Sequence, residues 1–155
     1  MKKHITVGIT LAAVAFAGTV WAGGHGGNPA VKARKAHMQL YAFNLGKLGG
    51  MAKGEVEYNA EAAQAAANNL AALSSLSQGA YWPAGTSMDE LGDATEAMPA
   101  IWQEGSKAGE IGGQLAEASA NLASVAGDGL DALRGAMGGV GKACGTCHET
   151  YRKPK

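Results

Sequence analysis

Apolar positions recur with a helical period along most of this chain, and breaks in that period divide it into four long segments. The first opens at Asn28-Pro29, a capping residue followed by the proline favoured in a first helical turn. Val31, Met38, Ala42, Leu45 and Leu48 predict one apolar stripe, and Lys53-Gly54 predicts the stop. Gly46, Gly49 and Gly50 weaken the helix intrinsically, which suggests close backbone approach to a neighbouring helix. Asn59 caps a second helix, with Glu61 in its first turn, running over 60–77 with Leu70, Leu73 and Leu76 toward its end.

The connection over 79–93 is long, and Tyr81-Trp82-Pro83-Ala84-Gly85-Thr86 is dense in helix breakers. A connection of that length calls for short structure of its own, and Ser87 to Leu91 suits a single turn. Pro99 opens a third helix whose Ile101, Ala108, Ile111, Leu115, Leu122 and Val125 keep the period to Ala126. Gly127-Asp128 breaks it, with Asp128 as the next cap. Leu130, Leu133, Met137 and Val140 then carry a fourth helix to Arg152 and Lys153, a basic end that suits the helix dipole. Four amphipathic helices with short, long and short connections predict an all-α four-helix bundle.

Composition supports helices over sheet, being rich in alanine and glycine and low in aromatics. Residues 1–22 read as a secretory signal peptide: Lys2 and Lys3, an apolar run from Ile5 to Phe16 too short to span a bilayer, then Val20-Trp21-Ala22 before cleavage. The expected location is the periplasm, with no membrane insertion of the mature chain. Residues 23–28 form a flexible tail whose His25 is read as solvated, and 29–155 form one bundle domain. The whole chain has balanced charge, thirteen basic against thirteen acidic side chains, so losing Lys2 and Lys3 leaves it slightly acidic. That argues against nucleic acid or an anionic membrane surface as partner.

The chemistry lies near the end of the fourth helix, in Cys144-Gly145-Thr146-Cys147-His148. This C-x-x-C-H pattern is the attachment signature of a c-type haem. Three- and four-residue separations put all three side chains on one helix face, where two thiols can hold a flat macrocycle and the imidazole can reach its iron. The competing readings are a redox disulfide and half a zinc site. The first wants a βαβ pattern nearby and the second a further pair of ligands, and neither is visible.

The chain resembles the cytochrome c′ family, the class II c-type cytochromes. The resemblance rests on four stretches in order: Val31-Lys-Ala-Arg34-Lys35-Ala-His-Met38; Lys53-Gly54-Glu55-Val-Glu-Tyr58-Asn59-Ala60; the aromatic, glycine-containing connection leading to Ile101-Trp102; and Cys144-Gly-Thr-Cys147-His148-Glu-Thr-Tyr151-Arg152-Lys. It implies an up-down-up-down bundle with one covalent haem c held near one end by the C-terminal helix. Cys144 and Cys147 would be the thioether anchors and His148 the proximal iron ligand. Arg152 would stand on the proximal side, Arg34 and Lys35 near the haem propionates, and Glu96 at the haem edge. Met38 would face the distal side, either ligating the iron or only blocking the site. His37, about 100° further round the helix, is read as a surface residue.

The resemblance implies electron transfer with redox partner proteins, or alternatively a five-coordinate haem binding a diatomic gas such as nitric oxide, and a homodimer through the first two helices. No nucleophile triad, phosphate-binding loop or carboxylate pair points to a conventional enzyme.

Overall fold

A computed structural model describes residues 27–154. The signal peptide and nearly all of the tail expected before the bundle lie outside the described residues. Four long helices make an up-down-up-down bundle: α1 (Pro29–Lys53), α2 (Ala60–Ser75), α4 (Ala108–Val125) and α5 (Leu130–Tyr151). The long connection carries the short α3 (Met88–Leu91) and three 3-10 turns, Gly79–Tyr81, Gly92–Ala94 and Pro99–Trp102.

The ends of α1 follow from its sequence. Asn28 accepts the Ala30 and Val31 N–H groups on its side-chain oxygen, at 2.9 and 3.3 Å. Gly54, with φ 76°, turns left-handed and returns its N–H to the last carbonyls of the helix. The single turn expected at Ser87 to Leu91 is α3, held by a reciprocal capping box between Ser87 and Glu90.

Several expectations are corrected. The face α1 buries is Val31, Arg34, His37, Tyr41, Asn44, Leu48 and Met51, rotated from the predicted stripe. Met38 and Ala42 are exposed, and Leu45 is half-buried. Arg34 and Asn44 go inward because each finds hydrogen-bond partners there, Asn44 accepting from Asn69 of α2 at 3.0 Å, while His37 packs against Tyr41. Gly46 and Gly49 face open space, and an added Cβ on Gly50 would touch only Val56, so these glycines do not let a neighbouring helix approach.

The expected third helix is two pieces. Pro99–Trp102 is a 3-10 turn, Gly105 (φ 79°) reverses the backbone, and α4 starts at Ala108. Nor does Asp128 cap α5. Gly129, with φ 131°, makes the corner, and its N–H goes to the Tyr58 hydroxyl at 3.0 Å. That hydroxyl in turn donates to the Ala126 carbonyl at 2.8 Å, clamping the α4–α5 turn from the α1–α2 connection. Helix α2 stops at Ser75, leaving Leu76 as an exposed extended cap.

The core is built where α2 and α4 meet the other helices. Leu48, Leu70, Leu122 and Leu133 are fully buried, one from each long helix. Ala63, Ala66 and Ala67 make a small-residue face on α2 that packs into the same cluster. Helix α1 lies mainly on α2, and α5 mainly on α4; the seam between α1 and α5 is only sparsely packed.

Candidate functional site

The sparse seam is where the C-x-x-C-H face points. Cys144, Cys147 and His148 are each half-buried, and Cys144 packs against the core cluster. Both cysteines are free thiols. Burial pushes both thiols up, and for Cys147 the charge of Arg152 pulls the other way. Burial is also the first cause holding the His148 imidazole below its ordinary value; Arg152 adds to this and Glu96 opposes it. A neutral ring with a free lone pair is the form that binds metal.

A hydrogen bond and a through-space charge effect relate α5 to α1. Arg134 Nε donates to the Ala52 carbonyl at 2.7 Å. Three turns along, Tyr41 lies close enough to Cys144 for the sulfur to raise its phenol, after burial, the larger cause, and against the hydrogen bond from Gln78. In antiparallel helices rising equally per residue, this pairing brings residues 37–38 level with 147–148. Met38 lies about 120° round α1 from Asn44, the side chain that meets Asn69 of α2. Met38 is 37% exposed.

One row of α5 carries no side chains, and Gly138 and Gly141 in it are exposed. Gly138, Gly141 and Gly145 continue the stripe begun by Arg134, and a Cβ built on any of them would meet nothing within 4 Å. The donor set fits a haem better than a bare ion: among the described residues no group of three or more His, Cys, Asp or Glu could hold a metal by itself.

Other predicted positions fall out differently. Arg34 is buried and its fork is filled. Nη1 donates to Thr86 Oγ1 at 2.8 Å; Nη2 donates to the Thr86 carbonyl at 2.5 Å and Thr95 Oγ1 at 2.7 Å. Its guanidinium lies 5.0 Å from the Trp82 ring centroid and 5.9 Å from that of Trp102. Both terminal nitrogens of Arg34 latch the long connection onto α1. Lys35 is exposed. His37 is not on the surface but 5% exposed, edge-to-face with Tyr41 at 4.7 Å, and its Nε2 has no partner.

Glu96 is exposed, yet its charge reaches His148 because the chain around it lies against the end of α5. Ala97 bridges Arg152, Met98 N–H donates to the Tyr151 carbonyl at 2.9 Å, and Lys153 N–H donates to the Glu96 carbonyl at 2.8 Å. Arg152 is the extended cap of α5, half-buried, with its charge felt by both Cys147 and His148. Sequence reading missed this strip, which is held by contacts more than fifty residues apart in sequence.

Comparison with known proteins gives consistent matches. A family profile described as Cytochrome C' matches residues 29–152. Cytochrome c-554 of Cereibacter sphaeroides is 44% identical over 123 residues, covering 79% of this chain and 92% of that protein. Among solved structures, a cytochrome c′ from Rhodobacter sphaeroides superposes with TM-score 0.78 at 38% identity, covering 81% of this chain and 96% of that one. The nitric oxide complex of a point mutant of cytochrome c prime from Alcaligenes xylosoxidans superposes with TM-score 0.69 at 32% identity, covering 81% and 94%.

Proposed function

From the premise that this chain belongs to the cytochrome c′ family, and is a haem protein carrying covalent haem c, we propose that it transfers electrons through one haem seated in the α1–α5 seam. The observation that carries this is the shared face of two half-buried thiols and a half-buried imidazole on α5, beside a seam that α1 covers only sparsely. When bound, the haem supplies a one-electron ferric/ferrous couple. The chain's own residues do the rest. Cys144 and Cys147 anchor the macrocycle, and His148 presents a ring nitrogen to the iron. Arg152 and Glu96 set opposite charges beside that imidazole. Lys35 contributes a solvated cation on the outer rim of α1. We place the mature protein in the periplasm, which suits a haem attached after export.

Met38 is assigned the opposite face, as sixth ligand. Sulfur ligation raises the potential and favours electron transfer. The test is an optical or resonance spectrum of ferric and ferrous protein, wild type beside Met38→Ala. With sulfur bound, wild type is low-spin, and the variant turns high-spin and takes up carbon monoxide. Identical high-spin spectra in both proteins would remove the ligation. That outcome moves the function to the second reading, binding of a diatomic gas, which is favoured by the nitric oxide complex of the Alcaligenes xylosoxidans relative and by Met38 being incompletely buried.

The groove between α1 and α2 is assigned to self-association. Leu40 (51% exposed), Phe43 (63%) and Leu76 (50%) are large apolar side chains left in water along it. Leu40 and Phe43 lie on the side of α1 away from Met38, and Leu76 caps α2 across the groove, so a partner there leaves the haem seam free. Phe43→Asp is expected to turn a dimer into a monomer by sedimentation with an unchanged haem spectrum. A wild type that sediments as a monomer at high micromolar concentration would remove this assignment.

A further inference from the structure

We propose that Thr95 is a positioning residue for the proximal side of the haem: its hydroxyl ties α1 to the 95–98 strip and so fixes the Glu96 carboxylate at the His148 end of α5. The inference rests on the electron-transfer reading above. Thr95 is 5% exposed, and its Oγ1 accepts twice, from Arg34 Nη2 at 2.7 Å and from the Ala97 N–H at 3.2 Å. One oxygen thus joins a helix 61 residues upstream to the backbone two residues on.

The strip is fastened on its other edge to α5. Ala97 pairs antiparallel with Arg152, the Met98 N–H donates to the Tyr151 carbonyl at 2.9 Å, and the Lys153 N–H donates to the Glu96 carbonyl at 2.8 Å. The Arg152 N–H in turn donates to the His148 carbonyl at 3.3 Å, so the strip lies along the turn that carries His148. The Ala97 carbonyl takes the Met88 N–H at 2.8 Å, which adds α3 to the same node. Extended backbone sends alternate side chains to opposite faces: Thr95 and Ala97 are buried, and Glu96 between them is exposed. Glu96 therefore has its own carbonyl and both neighbours held, and its carboxylate hangs from a fixed point beside the last turn of α5.

A carboxylate held there bears on the iron that His148 ligates. Negative charge favours the ferric over the ferrous state, so Glu96 lowers the reduction potential and Arg152 raises it. The carboxylate faces water, so the effect is modest and falls with salt. Removing Oγ1 leaves the Ala97 N–H and one Arg34 N–H without an acceptor in a buried place, and the strip must shift or open to satisfy them.

The test uses exported holoprotein with haem attached at Cys144 and Cys147. Midpoint potentials are measured for wild type, Thr95→Val, Thr95→Ser, Glu96→Gln and the double variant Thr95→Val/Glu96→Gln, beside amide hydrogen exchange at Met98 and Lys153. Thr95→Val should raise the potential, in the same direction as Glu96→Gln, and speed exchange at both amides about tenfold, the loss of one modest hydrogen bond. Thr95→Ser keeps Oγ1 and should match wild type in both readouts. With Glu96→Gln already in place, Thr95→Val should move the potential no further while exchange still quickens. A Thr95→Val shift of equal size with and without the Glu96 carboxylate marks a purely structural role and overturns the proposal. So does a wild-type potential in either Thr95→Val or Glu96→Gln. Thr95→Ala takes the place of the valine variant in this cycle if the latter does not fold. Met98 and Lys153 amides that are unprotected in wild type overturn the proposal without any variant. A holoprotein lacking a reversible ferric/ferrous couple is a different failure, which removes the electron-transfer reading and this inference with it.

Discussion

Acid–acetone extraction of the mature protein should leave the colour on the polypeptide, and the double variant Cys144→Ala/Cys147→Ala should leave a colourless one. The expected effect is total because the attachment is covalent. Each thioether joins a thiol to the macrocycle, and acid breaks an iron–histidine bond but not a carbon–sulfur bond. Either single variant keeps one bond and stays coloured with a shifted spectrum, which separates loss of attachment from loss of folding. In the double variant His148 remains as a ligand, but the seam offers little else to hold a free macrocycle. Helix α1 packs only sparsely against α5. Wild-type protein that extracts colourless, with two thiols open to titration, would refute the assignment of Cys144 and Cys147 and with it the seat of the haem.

Arg34→Met should cost on the order of 3 kcal/mol, counting the bonds to Thr86 Oγ1 and Thr95 Oγ1 at about 1.5 kcal/mol each for a charged donor. For a domain of this size that corresponds to a melting temperature lower by on the order of 10 °C. The cause is not a lost ion pair, since the guanidinium meets two threonines, a carbonyl and two tryptophan faces. Burial pulls the Arg34 pKa below its ordinary value, a cost that those contacts offset. Without the fork, Thr95 Oγ1 keeps only the N–H that it accepts from Ala97, and the connection loses its anchor on α1. Arg34→Lys should recover only part of the loss, because an ammonium cannot bridge Thr86 and Thr95 or lie flat on two indoles. Thermal melts of the three holoproteins decide this. Melting temperatures within about 2 °C of one another would show that the buried fork contributes little beyond its own desolvation.

What the sequence determined by itself is local. The N-cap at Asn28, the stop at Gly54 and the turn at Ser87 depend on hydrogen bonds spanning two to five residues, so the residue types suffice. The shared face of Cys144, Cys147 and His148 is equally local, since helical geometry carries it wherever the helix lies. Tertiary structure decided which side of α1 turns inward. Its buried face contains Arg34, His37 and Asn44, which by polarity alone belong outside, while Met38 stays half in water. Arg34 goes in because Thr86 and Thr95, more than fifty residues on, accept its protons, and Asn44 because Asn69 meets it from α2. His37 stacks between tyrosines of α1 and the first 3-10 turn. The placement of Glu96 beside His148 is likewise non-local, depending on the bridge between Ala97 and Arg152. A periodicity pattern weighs each residue by its own affinity for water. For Arg34 and Asn44 the deciding quantity is whether a distant group satisfies the polar atoms being buried.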